Sequence, residues 1–263
     1  MAGQRANMPR PELRFEVRSS IQKVQLSKST ENPHCKRHNF EQGGSIHFHH
    51  PVCRLRHRLS LVLRRAQAAP PGPTDLAATA PDLFGYLHRY LLPFQLNPYA
   101  ASADKRQFYS EKFGADRVAL IHERLNAVGQ QVGINFKFGG RIGNTRDSHR
   151  LVHLSKKYGQ ETHLKAVDGL FAAYFENEGD IMDAAVLKQV ATGAGIPEAD
   201  FQRAIVDSDE GGAEVDQQAG SARASGVSGV PDFTIQDRFH LSGSRDATEF
   251  VAVFEKVKAL EVE

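Results

Sequence analysis

Apolar residues fall at strand spacing in two short stretches of the chain and at helical spacing in the long block between them. Tyr86 to Leu96 alternates loosely and is rich in aromatic and aliphatic side chains. Pro93, then Asn97-Pro98, would edge or end a strand there. From Asp104 to Gly212 the spacing is helical. Over Asp116 to Gly133, Val118, Ile121, Leu125, Val128 and Val132 recur at three- and four-residue steps, and Gly133 supplies a stop. Asp147 to Tyr158 repeats the pattern with Leu151 and Leu154, with Asp147 placed as its N-cap. The wider stripe of Leu164, Val167, Leu170, Phe171, Tyr174 and Phe175 predicts a more deeply buried helix. Two short helices follow, over Ala184 to Thr192 and, after Pro197, Glu198 to Val206.

The pattern changes again near the C-terminus. Asp232 to Ile235 and Phe239 to Leu241 alternate on either side of the polar turn Gln236-Asp237-Arg238, which predicts a β-hairpin. Phe250, Val251, Phe254 and Val257 lie on one side of a final helix. The order of strand, helical block, hairpin and helix implies an α/β fold with an inserted helical subdomain.

Composition changes the picture at the N-terminus. Residues 1–80 hold 13 Lys+Arg against 5 Asp+Glu, a net charge of +8, whereas the remainder carries −6. They contain both cysteines, Cys35 and Cys53, six of twelve histidines and only three aromatics, Phe15, Phe40 and Phe48. That is little with which to fill a core. The Ala/Pro-rich run from Ala66 to Pro81 reads as a linker. The division expected is therefore a basic segment over 1–80, disordered or foreign to the fold, and a folded domain over 84–260. The largely aliphatic run Leu59 to Leu63 is far short of a membrane span, and no secretory-type apolar core follows the N-terminus. The expectation is a cytoplasmic protein with no membrane partner and reduced cysteines.

Cys35-x2-His38 and Cys53-x3-His57 have zinc-like spacing, but the stretch lacks the mini-core that a tetrahedral site needs, so no metal is expected. The scattered basic charge has no aromatic stacking platform, so no nucleic-acid partner is expected either.

Val230-Pro231, directly before a strand, places a residue without an N–H either at a sheet edge or in a cis peptide. Taken with Gly226 to Gly229, the hairpin, Ser242-Gly243 and the last helix, it resembles the C-terminal half of a thioredoxin fold. The blocks PFQLNP (93–98), YSEKFG (109–114), GGRIGNTRDSHRL (139–151) and LFAAYFENEGDI (170–181) resemble, in order and spacing, the DsbA-like thioredoxin-domain family of the FrnE type. Relatives of that family include 2-hydroxychromene-2-carboxylate isomerases and kappa-class glutathione transferases. The resemblance spans roughly 84–257, with the helical insertion at about 104–224.

This likeness implies thiol–disulfide oxidoreductase chemistry on protein or peptide thiols and disulfides, with glutathione as a further substrate and no bound cofactor. Val230 and Pro231 would be the substrate-facing cis-proline loop, Phe94 and Leu96 core residues beneath it, and Asn144 a substrate or glutathione contact. The loop at Gly139 to Asn144 would bring backbone close to the thioredoxin face. The first strand should end in Cys-x-x-Cys at a helix start, where the dipole stabilises the attacking thiolate. That motif is absent. Either Cys53 stands in the nucleophile's place, with Arg56 where the second cysteine belongs, or residues 1–80 are not family sequence and derive from a shifted frame, retained intron or novel exon. Two other functions stay open: a noncatalytic thioredoxin-like module binding peptide or glutathione, and a glutathione-dependent isomerase or transferase.

Overall fold

The computed structural model describes residues 13–19, 87–243, 245 and 247–260. Cys35, Cys53, the histidines between them and the Ala66 to Pro81 linker lie outside the described residues. In chain order the elements begin with β1 (Leu13–Ser19), β2 (Leu87–Pro93), β3 (Ala103–Asp104), α1 (Lys105–Phe113), α2 (Ala115–Val132) and β4 (Arg141–Ile142). Next come α3 (Arg146–Ser155), α4 (Gly159–Glu176), α5 (Ala184–Ala194) and α6 (Glu198–Phe201), which widens into a π-type turn at Gln202–Val206. The chain closes with α7 (Gly212–Ala224), β5 (Asp232–Ile235), β6 (Phe239–Ser242) and α8 (Ala247–Leu260).

The main sheet has the order β2-β1-β5-β6. β1 runs parallel to β2, pairing Leu13 with Leu87 and Ser19 with Pro93, and antiparallel to β5, pairing Phe15 with Ile235 and Arg18 with Asp232. These seven residues come from the segment that composition sets apart. The physical reason is local: Leu13, Phe15 and Val17 alternate with Arg14, Glu16 and Arg18, a strand period that an average over 80 residues conceals. β2 ends at Pro93, short of the expected Leu96, because proline has no N–H to extend the ladder. Beyond it Phe94 and Gln95 turn inward, while Leu96, expected in the core, is 38% exposed.

The helical stripes form one core, in which Leu151, Leu170, Leu187, Phe201 and Tyr174 are almost completely buried. Each such aliphatic side chain contributes about 2 kcal/mol. A second core, made of Phe233, Ile235, Phe250, Phe254 and Val257, lies between the hairpin and α8. Leu91 on β2 touches both cores. α2 stops at Gly133, whose φ of 72° is left-handed and lets its N–H return to the last turn.

Two buried polar side chains fasten the helical subdomain. His163 of α4 accepts a hydrogen bond at Nε2 from the Leu91 N–H, 3.1 Å away, which occupies a donor on the edge strand β2. Its Nδ1 lies 3.0 Å from Ser155 Oγ, and Ser155 itself donates to the Val152 carbonyl, so the network requires a neutral ring protonated at Nδ1. Burial, assisted by Lys156, pushes the His163 pKa down to about 4. Arg150 of α3, 3% exposed, donates to the carbonyls of Ala204, Ile205, Ser208 and Glu210 and to Asp147. One guanidinium thereby takes up carbonyls left open where the π-type turn ends.

A histidine that binds fewer protons folded than unfolded stabilises the protein above about pH 6.5 and loses that contribution as pH falls toward 4. Chemical denaturation between pH 7 and 4 should show this decline. In His163→Gln the decline should shrink by up to about 3 kcal/mol, leaving a slope to which His122 and His153, whose pKa values burial also lowers, contribute, and near pH 4 the ion-paired carboxylates Glu161 and Glu210. Arg150→Met should cost about 3–5 kcal/mol in the same assay, because several buried carbonyls lose a charged donor, and Arg150→Lys should recover only part.

Candidate functional site

The register places the C-terminal ends of the parallel strands β1 and β2 beside the N-terminal end of β5. Ser19 pairs with Pro93 and Arg18 with Asp232, so the peptide preceding Asp232 lies beside the point where the chain leaves β1. In open α/β sheets the carboxyl ends of parallel strands are where ligands bind.

The Val230–Pro231 peptide is cis. Both residues are buried, and Val230 packs with Phe94 and Ala222 in a small third core. The Pro231 carbonyl accepts the Gly243 N–H at 2.8 Å, and the buried Asp232 carboxylate accepts from Ser242 Oγ at 2.6 Å, so both flanks of the hairpin base are pinned. Across from them, Arg223 in the last turn of α7 donates to the Gln95 carbonyl, and its guanidinium lies 5.5 Å from the centre of the Phe94 ring. Gln95 is 4% exposed, and its side-chain nitrogen has no acceptor among the described residues. Gln95, Ala222 and Arg223 are the members of this site that sequence reasoning missed. Gln95 sits inside the apolar block PFQLNP, where nothing marks a polar residue as buried, and Arg223 is one arginine among many.

Asn144 donates from Nδ2 to the Pro98 carbonyl at 2.7 Å and accepts the Arg146 N–H at Oδ1 at 2.8 Å. It therefore clips the loop after β2 onto the first turn of α3. Asp147 is not the N-cap: the helix starts earlier, with Thr145 at the cap position and Asn144 serving its first N–H, and Asp147 pairs with Arg150 at 2.9 Å instead. His149 is buried, with Nδ1 2.7 Å from the Thr145 carbonyl, and acts in helix packing. The glycine loop also differs from expectation. Gly140 has φ 82°, and a Cβ there would lie 2.3 Å from the Glu178 carbonyl oxygen, so the close backbone approach is to the turn after α4 rather than to the sheet.

Among the described residues no group of three or more His, Cys, Asp or Glu side chains could hold a metal, and no helix is long and apolar enough to cross a membrane. The zinc-like set of Cys35, His38, Cys53 and His57 lies outside the described residues.

The fold resembles that of a "probable DsbA oxidoreductase" from Streptomyces coelicolor, with a TM-score of 0.67 and 22% identity over 94% of this chain and 90% of that one. A 2-hydroxychromene-2-carboxylate isomerase shares the fold at a TM-score of 0.53 and 16% identity, over 94% of this chain and 95% of that chain. No curated protein matches the sequence significantly. The family model of the DSBA-like thioredoxin domain matches residues 91–254, from the middle of β2 to the buried face of α8. The chain therefore belongs to the family of DSBA-like thioredoxin domains.

Proposed function

We propose that this protein is a cytoplasmic thiol–disulfide oxidoreductase acting on protein or peptide substrates. The observation that carries the reading is the register at the sheet's centre, which brings the chain leaving β1 alongside Val230 and Pro231 within a DSBA-like domain. In this reading the substrate's backbone lies along Val230 and Pro231, and the unfilled Gln95 donor meets one of its carbonyls. A buried amide donor without an acceptor costs about 1–3 kcal/mol, which a bound carbonyl recovers.

With no Cys-x-x-Cys in the sequence, the sulfur chemistry falls to Cys53 as a single attacking thiol. Its thiolate attacks a substrate disulfide, forming a mixed disulfide and releasing the other substrate sulfur as a thiolate. A second thiol, from Cys35 or from glutathione, then attacks the mixed disulfide, releases the reduced substrate and is left oxidised on Cys53. The absence of the paired motif favours a second reading, in which the same surface binds peptide or glutathione without exchange.

Insulin reduction by the purified full chain, with glutathione as reductant, separates the two. Turnover that falls to background in Cys53→Ser, with a mixed disulfide seen by mass spectrometry in Cys35→Ser, is the expected result. Turnover unchanged in Cys53→Ser would remove the single-thiol assignment, and no turnover together with calorimetric binding of peptide or glutathione would establish the noncatalytic module. In the same assay Gln95→Leu should raise KM for the peptide substrate roughly fivefold with kcat little changed, as expected for the loss of one hydrogen bond of about 1 kcal/mol.

A further inference from the structure

The helical subdomain holds a second concavity, built from elements that take no part in the sheet-edge site. α1, α2, the run 136–138 and the end of α4 line a cleft of about 530 Å³ that includes its mouth, open to solvent. Rings form most of its wall: Tyr109, His122, Phe136, Phe138, Tyr174 and Phe175. The His122 and Phe138 rings are stacked 3.7 Å apart, and Tyr174 and Phe175 meet edge to face at 4.8 Å, so the lining is packed and fixed.

Lys105 is the exception in this lining. It is 5% exposed, yet among the described residues no carboxylate lies within ion-pair distance of its Nζ. The ammonium donates to the Tyr174 carbonyl at 3.0 Å and sits 3.5 Å above the centre of the Tyr174 ring. Three N–H groups thus have one carbonyl and one π face between them. The nearby acids that act on it through space are engaged elsewhere. Glu178 accepts from the Gly139 N–H and Arg106, Asp104 caps α1 through the Gln107 N–H, and Asp180 accepts from the Met182 N–H and faces Arg141. Burial lowers the Lys105 pKa to about 8 against the opposing pull of these three carboxylates. A cation kept in an apolar enclosure without a counter-ion is costly unless an anion joins it.

We propose that this pocket binds a small monocarboxylate with an apolar body, its carboxylate on the Lys105 ammonium and its hydrocarbon or aryl part among the rings. One charged group among apolar walls is the usual means of fixing a ligand's orientation. The site is independent of the disulfide chemistry proposed above, so failure of either leaves the other standing.

Calorimetry on the full chain with 4-phenylbutyrate and its neutral counterpart 4-phenylbutan-1-ol provides the test. The acid should bind at least about tenfold tighter than the alcohol, the difference expected of a charge-assisted contact. Lys105→Met, which retains length and removes charge, should bring the acid down to the alcohol's affinity. Val118→Phe, which fills the pocket from α2, should weaken both. Equal affinity of acid and alcohol for the unaltered protein would overturn the proposal without recourse to any variant, as would absence of binding by either. Acid binding unchanged in a folded Lys105→Met protein would also overturn it.

Discussion

Everything at the sheet end of this protein depends on β1 lying between β2 and β5. Neither of those strands pairs with the other, so the ladder is continuous only because seven residues near the N-terminus supply hydrogen bonds on both sides. Remove that strand and β2 faces solvent along one edge while the β5–β6 hairpin is left as an isolated pair, marginal by itself. The same strand defines the candidate site. Its last residue brings the departing chain beside the Val230–Pro231 peptide, and Phe94, Ala222 and Val230 form the floor because β2 and β5 are held at that separation.

The helical subdomain is held to this sheet by different means. Its interior is a conventional aliphatic and aromatic core, but its orientation is set by polar groups that reach backbone atoms far away in the sequence. His163 reaches into β2, and Arg150 spans from α3 to the carbonyls beyond α6. Because these partners are main-chain atoms, they are directional and cannot be replaced by repacking alone. The apolar side chains make the subdomain compact, and the buried polar ones select one arrangement of it.

This explains which parts of the molecule could be read from the sequence. α2, α4, α5 and α8 declare themselves through stripes of large apolar residues, and the hairpin through its alternation. α7 does not, because its buried positions, Gly212, Val215, Ala219 and Ala222, are mostly small, and a small-residue face carries almost no hydrophobic signal even where the packing is close. β1 is masked by its charged alternate positions. The motif Gly139 to Leu151 drew attention as a site element, yet Gly140 and Arg150 serve the closure of a turn and of a helix end; motif residues that serve architecture look the same on paper as those that serve chemistry. Of the candidate site, the cis Val230–Pro231 peptide and the buried Phe94 were legible. Gln95 and Arg223 were not, since their partners come from separate parts of the chain.

The position of β1 also bears on how the chain assembles. Its two neighbours in the sheet come from either side of the helical insertion, and one of them lies near the opposite terminus. Contacts within the helical subdomain are far more local, so that part can condense before the sheet has its centre. Until β1 docks, the paired edges of β2 and β5 are open to any other strand, including the same strand of another copy. The step that completes the candidate site is thus also the step that closes the protein's most exposed route to self-association.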